Sequence, residues 1–336
     1  MTSRAAALLL AALIALVALA GCGDDPDEPS ADLRRVELIL DWFPNADHAG
    51  VYGAIEQEYF ADEGLRVDPV VPSDPAAALK QVGRGRAPFA ISYEPDVLLA
   101  RSQGIPVRAV AAIAVHPLNS VIVRTDRGIA RPADLAGKTV GAAGLPFDRP
   151  LLDTVVRADG GDPTGIRVKN VGFNLAPALA GGQVDALVGA YWNVELPELE
   201  HQDIGVDVFR LEDFGVPDYD ELVVVTSDEL AREEPELVRA LLRGLQRGQD
   251  WAAADQAGAA DHLLDANPDL DRDVLLEQLR LTAPLLSPSE QPTLSLDPAE
   301  WEAYAAWMRE NGILRKPVAV GDAVTREFLP PEDGDE

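Results

Sequence analysis

Val36-Glu37-Leu38-Ile39-Leu40-Asp41-Trp42-Phe43-Pro44-Asn45-Ala46-Asp47-His48-Ala49-Gly50 reads as a strand, a loop and the start of a helix. The run 36–40 is short and nearly continuous in apolar residues, as a strand buried on both faces would be. Helical spacing follows over 48–60, with Asp47 as a candidate N-cap and Gly64 as a stop. A strand feeding a helix through a tight loop predicts a βαβ unit and hence a largely parallel sheet. In such sheets ligands bind beyond the carboxyl ends of the strands. That places Trp42, Asn45 and His48 where a ligand would be met, with core packing as the alternative for Trp42 and capping the simpler role for Asp47.

The same grammar continues outward. Strands are expected at 66–71, 88–92, 107–115, 120–124, 139–142, 168–171, 184–189 and 221–226. Helices are expected at 76–82, where Asp74-Pro75 supplies a cap and a first-turn proline, and at 96–103, 149–158 and 176–180. Beyond 226 the pattern turns helical, at 236–254, 259–264, 273–279 and 298–311. In the last of these Trp301, Tyr304, Ala305 and Met308 form an i, i+3, i+4, i+7 stripe that predicts a core face, and Trp251 reads the same way. Two α/β blocks followed by a helical return predict α/β architecture with two lobes and an interlobe cleft, a venus-flytrap arrangement. Lobe 1 would be discontinuous, 35–118 plus 217–330, and lobe 2 would be 119–216, with crossings near 116–121 and 212–221. Architecture alone leaves a two-domain enzyme open.

Upstream, Met1-Thr-Ser-Arg4 precedes an apolar run ending at Leu19-Ala20-Gly21-Cys22. A cation, a short apolar run and small residues make an export signal. The last four residues resemble a bacterial lipobox, so residues 1–21 are expected to be removed and Cys22 lipidated, with 22–34 as a charged, Pro-rich tether. An ordinary cleaved signal or short anchor is the alternative. Cys22 is the sole cysteine of 336 residues, which excludes an intramolecular disulfide and a Cys-rich metal site. With 57 Asp plus Glu against 28 Lys plus Arg, a formal charge of −29, no nucleic-acid partner is expected.

Three further strand ends gather polar and aromatic groups. Ser92-Tyr93-Glu94-Pro95-Asp96 offers a ring and a carboxylate, Tyr93 and Glu94 being the candidates, although acids there would also suit a helix N-terminus. Gly141-Ala-Ala-Gly144-Leu-Pro-Phe147-Asp148 can present free N–H groups, Gly144 foremost, or be a plain tight turn. Gly189-Ala190-Tyr191-Trp192-Asn193-Val194-Glu195 supplies Tyr191, Trp192 and Glu195, or merely starts a helix. Aromatic faces with carboxylates and amides suit a flat, nitrogen-bearing heterocycle, neutral or cationic. Arg84, Arg86 and Arg149 could serve an anion but read as solvated charges. There is no GxSxG, HExxH, CxxC or nucleotide loop, and the four His at 48, 116, 201 and 262 are isolated, so no catalytic residue, cofactor or metal is expected.

The segments 40–52, 72–75, 91–96, 134–138, 184–186 and 189–195 resemble the thiamine-pyrimidine binding proteins, a group of ThiY-type solute-binding lipoproteins of ABC importers that also includes the fungal pyrimidine-phosphate synthase. The resemblance spans about 36–250. It implies a type II periplasmic-binding fold, a thiamine precursor such as a formylaminopyrimidine as ligand, and Trp42, Asn45, Tyr93, Glu94, Trp192 and Glu195 at pocket positions. Together with the lipobox, which predicts an exported protein held to the cell membrane by its lipid, it implies an ABC permease and its ATPase as partners; a monomer is expected. The fungal enzyme places a reactive His in the segment matching His48 and uses a Cys-rich motif that this chain lacks. Sister proteins of the group take riboflavin, and more distant ones sulfonates or nitrate.

Overall fold

The computed structural model describes residues 33–331; the expected signal, Cys22 and nearly all of the tether lie outside the described residues. Two five-stranded sheets carry the architecture. The first has the order β2-β1-β3-β10-β4, built from Arg34–Ile39 (β1), Leu65–Val70 (β2), Phe89–Ser92 (β3), Val107–Ala114 (β4) and Leu222–Ser227 (β10). The second has the order β7-β6-β8-β5-β9, from Asn119–Arg124 (β5), Thr139–Ala142 (β6), Arg167–Asn170 (β7), Ala186–Tyr191 (β8) and Val206–Arg210 (β9).

The expectation of largely parallel sheets needs one correction in each. β10 runs antiparallel to both β3 and β4, and β5 runs antiparallel to both β8 and β9. Each reversed strand is the first one laid down after the chain crosses from the other sheet. Entering from the cleft side, it must run against strands whose carboxyl ends point at the cleft. The two outer parallel pairs keep strict register, as in Arg34↔Leu65 through Ile39↔Val70.

Helices cover the sheets with apolar faces. Pro235–Ala254 packs against Ala49–Glu56. Their approach is close enough that a Cβ on Gly248 would stand 2.1 Å from the Gly50 carbonyl oxygen, so glycine at 248 is a packing requirement. In helix Pro298–Glu310 the stripe Trp301, Tyr304, Ala305 and Met308 is fully buried, and Trp251 is half-buried and stacked on His262.

Several boundaries moved. The helix expected over 48–60 is three pieces: a 3₁₀ turn Ala46–His48, helix Ala49–Glu56, and helix Tyr59–Asp62 after a break at Glu58, whose φ is +60°. The N-cap is Asn45, not Asp47: its Oδ1 accepts the Asp47 N–H at 2.8 Å. The extra 3₁₀ turn places the true start two residues earlier, and Asp47 is freed to face elsewhere. Strand β9 was not expected, and helix Glu195–His201 begins where the 189–195 segment had a helix start as its alternative reading. Helix Arg272–Leu286 runs a full two turns beyond the expected end, through Pro284.

Candidate functional site

The strand ends of both sheets converge on one cavity. From the first sheet come Asp41, Trp42 and Asn45 after β1 and Tyr93 after β3. The second sheet adds Leu145 and Phe147 after β6, and Gly189, Tyr191, Val194 and Glu195 at and beyond the end of β8. Asn119 and Glu221 come from the two crossings. The cavity wall holds three carboxylates, two amides and four aromatic rings, and no Lys, Arg or His. A wider pocket opens beside it, sharing Trp42, Asn45, Val194 and Glu195 and adding Phe43, Phe173, Glu198, His201, Asp269 and Asp271. Trp42 and Phe43 both meet Phe173, at centroid distances of 4.7 and 4.8 Å, so aromatic rings from the two sheets touch at this mouth.

Each polar wall group is held from behind. Asp41 accepts His48 Nε2–H at 2.9 Å on one oxygen and the Tyr93 hydroxyl at 3.1 Å on the other. Tyr93 packs edge-on against Phe147, 5.7 Å away. Glu195 accepts the Tyr191 N–H at 2.6 Å. Burial pushes its carboxyl up to about 8, with the nearby Glu198 adding to the shift and the Tyr191 N–H opposing it. Glu221 is more heavily used. One oxygen accepts the N–H groups of Leu118 (3.0 Å) and Asn119 (2.9 Å) and the Tyr219 hydroxyl (2.8 Å); the other accepts the Tyr191 hydroxyl at 3.2 Å. One side chain thus ties the outgoing crossing, the returning crossing and the second sheet. Burial raises Glu221 to about 7 against these donors.

Of the nine expected ligand residues, Trp42, Asn45, Tyr93, Tyr191 and Glu195 line the cavity. The other four do not. His48 is fully buried behind Asp41; its Nδ1 accepts the Asn45 N–H at 3.2 Å, so Nε2 carries the proton and both nitrogens are engaged. Glu94 turns the other way, accepting the Asp220 N–H at 2.8 Å, and burial holds its carboxyl well above the usual range. Gly144 offers no free N–H, because it and Leu145 both donate to Asp148 Oδ2, at 2.9 and 2.8 Å. Trp192 donates Nε1–H to the Pro117 carbonyl at 3.1 Å, and the Arg210 guanidinium covers its ring at 3.7 Å. Arg149 pairs with Asp153 at 2.6 Å, away from the cavity.

The residues missed were Asp41, Asn119, Leu145, Phe147, Gly189, Val194 and Glu221. Glu221 had a usable signal: an acid placed directly before the fully buried strand Leu222–Ser227 must have partners. Asn119 had none, since its Oδ1 accepts the Gly189 N–H 70 residues away, at 3.1 Å. Among the described residues no group of three or more His, Cys, Asp or Glu is placed to hold a metal.

Comparison with known proteins gives the chain its relatives. The NMT1/THI5-like family profile matches residues 45–259. A formylaminopyrimidine-binding protein of Halalkalibacterium halodurans is 37% identical over 94% of this chain and 97% of its own length. A 4-amino-5-hydroxymethyl-2-methylpyrimidine phosphate synthase of Legionella pneumophila is 24% identical over 88% and 92%. Among solved structures, the alkanesulfonate-binding protein SsuA of Xanthomonas axonopodis pv. citri, bound to MOPS, superposes with a TM-score of 0.70 at 17% identity, covering 88% of this chain and 99% of that one. The chain belongs to the NMT1/THI5-like family and has the two-lobe α/β periplasmic-binding fold.

Proposed function

We propose that the protein is the extracytoplasmic solute-binding component of an ABC importer, taking an aminopyrimidine precursor of thiamine and delivering it to a permease. The observation that carries the reading is the cavity wall: Asp41, Glu195 and Glu221 with Asn45 and Asn119, between Trp42, Tyr93, Phe147 and Tyr191, and no cation. A flat aminopyrimidine has an exocyclic amine that donates and ring nitrogens that accept or, when protonated, donate. Glu195 at about 8 and Glu221 at about 7 are each divided between acid and carboxylate near neutral pH, so each can accept from the amine or donate to a ring nitrogen. The aromatic rings supply faces and edges for stacking. A sulfonate or phosphate would meet three carboxylates and no Lys, Arg or His, leaving its charge unpaired in a desolvated site.

In this reading the two sheets mark two lobes, approximately 35–118 with 217–330 and 119–216, and Cys22 carries the lipid that holds a monomer to the outer face of the membrane. The relative from Halalkalibacterium supports a formylaminopyrimidine ligand. A synthase using His48 is disfavoured, because that imidazole has both nitrogens engaged and does not reach the cavity. Calorimetric titration with a formylaminopyrimidine, 4-amino-5-hydroxymethyl-2-methylpyrimidine, riboflavin and an alkanesulfonate tests the proposal. Heat of binding from the pyrimidines alone is expected; binding of riboflavin or the sulfonate without them would overturn it.

A further inference from the structure

Asp47, after β1, meets Asn193, after β8, at the seam between the two sheets. Asn193 Nδ2 donates to Asp47 Oδ1 at 2.6 Å and to Thr282 Oγ1 at 2.8 Å. Asp47 is 3% exposed and Asn193 0%. Yet one oxygen of each is without a partner: Asp47 Oδ2 and Asn193 Oδ1. Buried polar atoms are rarely left so, and these two belong to the two partners of a single hydrogen bond. A carboxylate oxygen and an amide oxygen both accept only, so neither can serve the other. One proton would serve both oxygens: with Asp47 protonated, its Oδ2–H could donate to Asn193 Oδ1 while Asn193 donates back to Oδ1, closing a cyclic acid–amide pair.

We infer that Asp47 is held as the neutral acid where the two segments meet, and that its pair with Asn193 is a positioning device for the cavity wall. What it positions follows directly in sequence: Val194, whose carbonyl accepts Gln278 Nε2–H at 3.0 Å, and Glu195, both of which line the cavity. The inference deepens the proposed function and rests on that reading of the cavity. Surrounding groups favour the neutral form. Burial is the largest influence and pushes Asp47 up to about 7; Asp41 adds to it, while His48 on the same turn, Asn193 from beyond β8 and Thr282 from helix Arg272–Leu286 oppose it. Glu195, beside Asn193, also feels the Asp47 charge as repulsion. None of these groups is a Lys or Arg.

When the segments separate, Asp47 returns to the ordinary range near ~4. Closing the seam therefore takes up a proton between those values. The closed form gains most at low pH, and the gain is lost as pH rises towards 7, by at most about tenfold in affinity per pH unit. Asp47→Asn restores two hydrogen bonds as an amide–amide pair and needs no proton. Wild type and Asp47→Asn are titrated with 4-amino-5-hydroxymethyl-2-methylpyrimidine from pH 5 to 8.5, in buffers of differing ionisation enthalpy. Contributions from the ligand and Glu221 are shared by both proteins and cancel; Glu195, which the Asp47 charge repels, is removed as a variable by repeating the comparison in a Glu195→Gln background. Wild type is expected to take up about one proton more than Asp47→Asn near pH 6, and its affinity to fall relative to the variant between pH 5 and 7. Equal proton counts and parallel profiles would overturn the inference and leave the two oxygens to a bridging water. If the pyrimidine binds neither protein, the functional reading fails separately. The Asp47 carboxyl resonance, assigned against either Asp47→Asn or Asn193→Ala, then decides: titration near 7 supports the pair and titration near 4 overturns it.

Discussion

Two polar junctions join the halves of the molecule, and they are built on opposite plans. At the crossings, Glu221 accepts four hydrogen bonds, three of them on one oxygen from Leu118, Asn119 and Tyr219, and none of its carboxylate atoms is left over. At the seam, Asp47 and Asn193 share one short bond and each keeps an unpartnered oxygen. The first junction lies on the chain that passes from sheet to sheet, and two backbone N–H groups help to fill it. The second joins segments 146 residues apart. It is complete only with a proton, so it is the one that can be made and unmade.

The largest effect should come from breaking the junction at the crossings. Glu221→Ala strips partners from two buried N–H groups and a buried hydroxyl, and should cost on the order of 3–4 kcal/mol in urea unfolding while abolishing ligand binding. The seam should be weaker: Asn193→Ala leaves the Asp47 carboxyl without its 2.6 Å donor and should cost about 2 kcal/mol, with a loss of affinity of about tenfold. The pH profile of stability sharpens the contrast. The folded values near 7 for Asp47 and Glu221 and near 8 for Glu195 lie above the unfolded range of about 4. A raised folded value gives a contribution fully present below the unfolded one and lost as pH climbs through the folded one. The melting temperature should therefore fall from about pH 5 to about pH 8 by scanning calorimetry and level off above, and the part of that fall below pH 7 should be smaller in Asp47→Asn. Tyr191→Phe removes only the longest of the Glu221 bonds, at 3.2 Å, and should cost about 0.5–1 kcal/mol.

Much of this was legible in the sequence, for reasons the residues show. Thr139–Ala142 was placed to the residue, because a short apolar run between turn formers permits little else. Strand β9 was not, since Val206–Arg210 is half-exposed along its length and carries charge at Asp207 and Arg210, which blunts any apolar signal. Strand ends rich in aromatic and polar residues did mark the cavity. What spacing could not supply was the side each group faces. Trp192 and Tyr191 are adjacent, yet one is turned to Pro117 and covered by Arg210 while the other lines the cavity. Asn45 and Asp47 are equally good caps by type, and only the 3₁₀ turn decides for Asn45. Glu221 acts on residues 102 and 103 positions away, a distance at which one sequence holds no record of pairing.

The cavity chemistry is tested most directly by one calorimetric titration of the protein at pH 7 with a formylaminopyrimidine and, separately, with an alkanesulfonate. Three carboxylates and no cation predict saturable one-to-one binding of the pyrimidine, lost in Glu195→Ala, and no heat from the sulfonate. Saturable binding of the sulfonate, with none of the pyrimidine, would contradict the account.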